Sequence, residues 1–120
     1  MLRVTLFMPT ELDLLQGTLD VLVLRALSWR TMHGYAIARF IHTGSDGAFT
    51  ILDGALYTSL HRMEALEWVA SEWGTSDKGK RAKFYRLTPA GKRALKAETA
   101  SWHNYVAAVS GVLRAIPDAT

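Results

Sequence analysis

A chain of 120 residues, 49% hydrophobic and 21% charged, has the proportions of one folded unit with a modest core, not those of a disordered segment. It contains no cysteine, which excludes disulfides and thiolate metal sites and makes a reducing cytoplasm the expected setting. The net charge is only +3, yet eight of the 14 basic groups lie between Lys78 and Lys96 with no acid among them, and a polyanion responds to such a local field more than to the sum.

The opening MLRVTLFMP has an apolar stretch shorter than a signal-peptide core, and Asp20 and Arg25 interrupt the longest Leu/Val-rich segment, so neither secretion nor a membrane span is expected. From Thr10, a Thr-x-x-Asp capping pattern opens TELDLLQGTLDVLVLRALSW, in which Leu12, Leu15, Leu19, Leu22 and Ala26 recur at helical spacing. Leu14, Val21, Leu24 and Leu27 fall outside that stripe, so this first helix is apolar on more than one side and offers a surface to a partner. MHGYAIARFIHTGSDG predicts a short second helix with Tyr35, Ile37, Ala38 and Ile41 inward. His33-Gly34-Tyr35 shapes its start, and the turn residues Gly44-Ser45-Asp46-Gly47 stop it.

DGALYTSLHRMEALEW predicts a third helix, capped by Asp53, with Leu56, Leu60, Met63 and Leu66 on one apolar face. The opposite face carries Ala55, Tyr57, Thr58, His61, Arg62 and Ala65, small or hydrogen-bonding residues where a solvated helix ordinarily has Lys and Glu. WVASEW, GTSDKGKR and AKFYRLT read as a strand, a flexible tip broken by Gly74 and Gly79, and a second strand. In that second strand Arg81, Lys83, Tyr85 and Leu87 share one side and Ala82, Phe84 and Arg86 the other, which leaves the buried side open.

Thr88-Pro89 joins a capping hydroxyl to a proline at the first helical position, and no proline follows until Pro117. A fourth helix is expected from Pro89 to Ala115, about 40 Å long. Leu95, Trp102, Val109 and Ile116 recur every seven residues, with Tyr105, Val106, Val112 and Leu113 between them. This stripe is longer than so small a domain covers, so a homodimer is expected, with Leu95, Trp102, Val106, Val109 and Leu113 at its interface and the first helix assisting.

The fold class is therefore mainly α with a small β-hairpin: a winged helix-turn-helix followed by a long C-terminal dimerisation helix. Residues 1–10 form an N-terminal arm, residues 11–88 the DNA-binding domain, and residues 89–120 the dimerisation helix. Such an order places the third helix in the major groove of double-stranded DNA and the hairpin tip along phosphates or a neighbouring groove. The basic run then spans the wing and the start of the fourth helix, where it releases condensed counterions in a sequence-independent way. Sequence choice falls to the third helix: Arg62 is the leading base reader, since its planar fork spans guanine O6 and N7, with His61 a lesser candidate.

Other chemistries fit poorly. Gly74 to Lys80 satisfies GxxxxGK, but a phosphate loop needs Ser or Thr after the lysine and then a helix, whereas Arg81 and a strand follow. His33, His42, His61 and His103 show neither HExxH spacing nor cysteine partners, so no metal or other cofactor is expected. No nucleophile has an identifiable base partner, and an enzyme is not expected.

The ordered series LLQGTLDVLVLRAL, MHGYAIARFI, DGALYTSLHRMEALEWVASEW and GKRAKFYRLTPAGKRALKAE resembles the PadR family of transcriptional regulators, across roughly Leu12 to Leu113. The length is similar to that of the short subtype, with a single C-terminal helix. The resemblance implies a dimeric, usually repressing regulator that leaves its operator when a small aromatic or cationic effector binds or a cell-envelope stress acts. Gly54, Leu56 and Tyr57 match the family's GxLY pattern at the start of the recognition helix, which makes Tyr57 the first DNA contact, with Thr58, Ser59, His61 and Arg62 beside it. Thr58 stands where the family often has proline. Lys80, Arg81 and Lys83 match the family's basic wing-to-strand segment and, with Lys78 beside them, are expected on the DNA. Trp102, with Tyr105 beside it, matches a position that in some members faces the subunit interface and stacks on flat ligands, although aromatic residues at heptad spacing are ordinarily packing residues. The competing reading is a winged-helix protein-interaction module that turns the same surfaces to an acidic protein and has no sequence-specific DNA binding. Non-specific packaging of nucleic acid is a third, weaker reading.

Overall fold

The computed structural model describes residues 17–118. The chain runs α1 (Thr18–Trp29), β1 (Met32–His33), α2 (Gly34–Gly44), α3 (Asp53–Ala65), β2 (Val69–Thr75), β3 (Arg81–Leu87) and α4 (Pro89–Arg114). The three strands form one antiparallel sheet in the order β1-β3-β2. The expectations for Leu12, Leu14 and Leu15, for the N-terminal arm and for the capping residue Thr10 lie outside the described residues.

Helix α1 begins after Gly17, whose φ of +86° is left-handed and readily adopted only by glycine. The first helix expected from Thr10 is present from Thr18 onward, and the expected part before Gly17 lies outside the described residues. The helix is apolar on more than one side, as expected, but the expected stripe is not its most buried part. Leu24 and Leu27, placed outside it, are buried together with Val23 and Ala26, while Leu19 and Leu22 are only half-buried. The reason is tertiary, because α1 is the central helix and packs against α2, α3, α4 and β3, so more than one of its sides is covered.

In α2, Ile37 and Ile41 point into the core as the spacing predicts. The His33 side chain caps the helix, its Nδ1 accepting from the Ala36 amide at 3.2 Å. Tyr35 is corrected from inward to exposed: it lies in the first turn, on the outer side of the molecule, with the Arg39 guanidinium 5.9 Å from its ring.

Helix α3 buries Leu56, Leu60 and Met63, each worth about 1.5–3 kcal/mol relative to exposure. Two details differ from expectation. Leu52, not Asp53, is the N-cap residue, and Asp53 sits in the first turn, where its carboxylate favours the positive end of the helix dipole. Leu66 lies past the last turn and is half-exposed. The helix stops in a Schellman turn, with Trp68 N–H donating to the Met63 carbonyl at 2.9 Å, Glu67 N–H to Glu64 at 3.0 Å, and Glu67 at φ +62° where glycine usually sits.

The hairpin pairs Val69 with Leu87 through to Thr75 with Arg81. Its tip is shorter and tighter than the sequence implies. Gly74 and Arg81 belong to the strands, and Ser76–Lys80 closes on itself through Ser76 N–H to the Lys80 carbonyl at 2.7 Å and Gly79 N–H to Ser76 at 2.9 Å. Gly74 serves close approach instead of a break: a Cβ there would meet the Phe84 ring at 3.0 Å. The side of β3 left open by the sequence is decided by Tyr85, which is buried against the helices while Phe84 stacks edge-on with His33 at 5.3 Å. Strand β1, pairing Met32 with Tyr85 and His33 with Phe84, has no sequence signal, because two residues are too few to show a period.

Helix α4 starts where the Thr88-Pro89 pair predicts. Thr88 Oγ1 accepts from the Gly91 amide at 3.0 Å and donates to the Glu67 carbonyl at 2.5 Å, so one hydroxyl caps the helix and ties it to the end of α3. Gly91 is buried against the Trp68 carbonyl, which any Cβ would overlap. Beyond Leu95 the helix leaves the core and extends the molecule to 65 × 37 × 22 Å.

Candidate nucleic-acid interface

An open cleft of about 1310 Å³ lies between α2, the outer face of α3 and the hairpin. Tyr57 and His61, one helical turn apart, reach it from α3. Lys78, Lys80, Arg81 and Lys83 line it from the hairpin, and Arg30 and Arg39 from either side of β1 and α2, against a single carboxylate, Asp77. Six guanidinium or ammonium groups around one concavity make a positive field that a low-dielectric wall focuses outward.

Tyr57 is placed by glycine. Its hydroxyl end rests on Gly34 at the start of α2, and a Cβ at residue 34 would overlap the phenol oxygen. The ring is therefore part packing and part exposed surface, with its remaining edge toward the cleft. Thr58 is exposed on the same helix, outside the cleft lining.

Ser59 and Arg62 turn the other way. Ser59 is only 2% exposed and donates to Asp20 Oδ1 of α1 at 2.5 Å, so its expected place on the DNA-facing side is corrected: three residues from Leu56 and one from Leu60, it shares their inward side. Arg62 donates to the same Asp20 oxygen and forms the one ion pair found among the described residues. That hydrogen bond, followed by the carboxylate's charge, raises the guanidinium pKa further above its ordinary value, with burial a small opposing effect. Arg62, its side chain half exposed, thus pairs with α1 and does not line the cleft, and Tyr57 and His61 are the α3 side chains that do.

On the hairpin, Trp73 is 56% exposed and on the same side of the sheet as Lys83 and Arg81. The Arg81 guanidinium carbon is 4.1 Å from the indole centroid and the Lys83 ammonium 5.9 Å.

The distal part of α4 has the opposite chemistry. Its apolar residues become more exposed toward the C-terminus, from Trp102 at 39% to Leu113 at 80%. Of the five expected interface residues, Trp102, Val106, Val109 and Leu113 lie on this stripe, whereas Leu95 is half-buried against the chain's own core. Between the first turn of α1 and the middle of α4 lies a second cleft of about 430 Å³, lined by Thr18, Val21, Glu98, Ser101, Trp102 and Tyr105 among others. The Trp102 and Tyr105 rings stack at 6.1 Å with 28° between their planes.

The family model of the transcriptional regulator PadR-like family matches residues 23–97, from the middle of α1 into α4 and well over half of the chain. The chain belongs to the PadR-like family of transcriptional regulators. It is 30% identical over 90 residues to the uncharacterized protein X of Lysinibacillus sphaericus, an overlap of 75% of this chain and 83% of that one. Among solved structures it is similar to a PadR family transcriptional regulator from Eggerthella lenta DSM 2243, with 32% identity, a TM-score of 0.72, and coverage of 84% of this chain and 86% of that one. It is also similar to a PadR family transcription regulator from Clostridium difficile R20291, with 27% identity, a TM-score of 0.70, and coverage of 81% and 99%.

As a PadR-like chain, the protein is a winged-helix regulator of transcription that acts by binding DNA, not an enzyme. No helix among the described residues is long and apolar enough to cross a membrane. Within this PadR-like frame, four residues in or beside the site are not among those the sequence singles out for it. Asp20 was legible as the lone acid inside LDVLVL, since a carboxylate in an apolar run needs a partner. Arg30 and Arg39 bracket the second helix's first half but are separated by nine positions, so their convergence on one cleft needs the fold. Trp73 reads as an ordinary strand aromatic until its register opposite Lys83 is known.

Proposed function

We propose that the protein is a sequence-specific DNA-binding regulator that works as a homodimer in the cytoplasm. The observation that carries this is the concave, almost uniformly basic cleft between α3 and the wing, with Tyr57 and His61 directed into it. Helix α3 enters the major groove with Tyr57 and His61 toward the base edges and Thr58 alongside, while Lys78, Lys80, Arg81 and Lys83 lie on phosphates. Arg30 and Arg39 extend the phosphate track on the far side of the groove. The domain division follows: α1 to β3 read DNA, and α4 pairs two copies through Trp102, Val106, Val109 and Leu113, so that two recognition helices meet adjacent half-sites.

The regulator acts as a repressor. A small aromatic or cationic effector that settles beside Trp102 and Tyr105, near Glu98, favours a dimer with altered α4 packing and so lowers DNA affinity through one shared coupling energy. A stress signal acting on the same packing has the same result.

Selection from random duplexes, followed by affinity titrations across salt concentrations, tests the reading. Replacing Lys80 and Arg81 together is expected to weaken binding to every duplex and to flatten the log–log salt slope by about two. Tyr57→Ala and His61→Ala are expected to relax preference at particular base pairs. Recovery of no enriched motif sinks the sequence-specific reading and leaves the interaction-module alternative.

A further inference from the structure

The wing carries two kinds of cation. Lys78 and Lys80 sit in the tip, exposed, as flexible stems. Arg81 is different: it is the first residue of β3, its backbone paired with Thr75, and its guanidinium lies 4.1 Å from the centroid of the Trp73 ring. Trp73 lies directly across from Lys83, whose ammonium is 5.9 Å from the same ring. An indole ordinarily seeks burial, yet this one is 56% exposed and borders the cleft that also receives Tyr57 and His61. The core ends lower on the same side of the sheet, at Tyr85 and Val69.

The backbone beneath the indole is fixed from the other side. Gly74 leaves room for the Phe84 ring at 3.0 Å from where a Cβ would stand, Phe84 packs edge-on against His33, and His33 caps α2. Beyond it, the Ser76–Lys80 turn is closed by its own hydrogen bonds. A rigid, exposed aromatic platform bearing a stacked guanidinium is a way to orient that guanidinium. Stacking leaves its N–H edges free for a planar, two-pronged contact, and the rotamer entropy that a free Arg would lose on binding has already been lost.

We propose that Trp73 is a positioning residue for DNA binding: it holds Arg81, and more loosely Lys83, over the cleft, so that the wing presents one directed cation among mobile ones. The proposal rests on the DNA-binding reading above and adds a division of labour within the wing. Lys78 and Lys80 supply attraction that is indifferent to geometry, and Arg81 on Trp73 supplies a contact that requires the duplex backbone or minor groove at one distance and angle.

The test is a double-mutant cycle on duplex affinity, with a readout on the protein alone. Trp73→Ala is expected to weaken binding about fivefold without altering the salt slope, since it removes no charge, whereas Arg81→Ala lowers the slope by about one. Trp73→Phe retains most of the affinity. In an Arg81→Ala background, Trp73→Ala changes affinity less than twofold. By NMR, the Arg81 Nε–Hε signal of the wild type shows a ring-current shift and restricted motion, and both vanish in Trp73→Ala. An equal loss from Trp73→Ala in both backgrounds would mean a collapsed wing or a direct indole contact, and overturns the proposal. So does an Arg81 signal equally mobile with and without Trp73, or unchanged affinity in Trp73→Ala. Failure of the wild type to bind any duplex strikes the DNA-binding reading instead, and the Arg81 signal then decides the Trp73 contact by itself.

Discussion

Helices α3 and α4 carry the same kind of signal, an apolar residue every three or four positions, and meet opposite fates. In α3 the stripe Leu56, Leu60 and Met63 is buried by the chain itself. In α4 only Gly91 is fully buried, and Trp102, Val109 and Leu113 remain on the surface. An apolar stripe states that something covers it, and only the path of the rest of the chain states whether that something is the same molecule. The polar sides teach the converse. The exposed side of α3 joins a basic cleft that suits a polyanion, whereas the exposed side of α4 is apolar and is where the proposed second copy would pack.

The sharpest way to break this comparison is to truncate one residue in each stripe. Leu60→Ala removes a fully buried side chain and is expected to cost about 2–5 kcal/mol in urea unfolding, at any protein concentration. Val109→Ser is expected to leave the unfolding of the isolated subunit nearly unchanged and to abolish the concentration dependence of Tm, because it acts on association. If Val109→Ser destabilised the chain in a concentration-independent way, α4 would be covered intramolecularly and the contrast would vanish.

The next effect concerns the junction between the two regions. Gly91→Ala forces a Cβ onto the Trp68 carbonyl, backbone against backbone, and should cost about 1–3 kcal/mol or more by the same measurement. It should also tilt α4 relative to the wing, seen as a change in the small-angle scattering profile.

Asp20→Ala strikes the link between α1 and α3. It leaves the buried Ser59 hydroxyl without its acceptor, an expected loss of about 1–3 kcal/mol, to which the exposed Arg62 pair adds at most about 1 kcal/mol. The base preference recovered by selection should stay the same. A shifted preference would return Arg62 to the role of base reader.

The smallest effect is on alkaline stability. Burial, followed by the neighbouring Tyr57 and Glu64, raises the Tyr85 phenol above its ordinary pKa. The fold therefore holds its proton more tightly than the unfolded chain does. The corresponding stability is complete below about pH 10 and is lost as pH rises through the raised folded value. Urea midpoints should fall over that window, and Tyr85→Phe should flatten the fall. An identical decline in Tyr85→Phe would assign it to another group.

Much of this arrangement was legible in the residues. Thr88-Pro89 marks the start of α4, the Leu56/Leu60/Met63 spacing gives the buried face of α3, and the acid-free basic run marks the wing. These signals are local: a cap, a period and a charge density act within a few residues and need no knowledge of the fold. The resemblance carried by GALY and KFYRLT reached further, because it rested on the order of several motifs at once.

What the residues left undecided depends on side chains far apart in sequence. Asp20 and Arg62 are 42 positions apart, and their pairing makes a residue that the sequence offers as a base reader also a tie between helices. Ser59 lies between reading positions in the sequence, but its side chain faces α1. Leu24 and Leu27 are buried because α1 is the central helix, a fact about its neighbours and not about its own period. The sequence by itself determined the third and fourth helices, the two strands of the hairpin and the basic wing between them, and that a local positive field awaits a polyanion, because hydrogen-bond capping, periodic burial and charge clustering are short-range. Only the tertiary structure decided which polar groups face the cleft and which face one another, because that choice is made by whichever partner packing brings within hydrogen-bond reach.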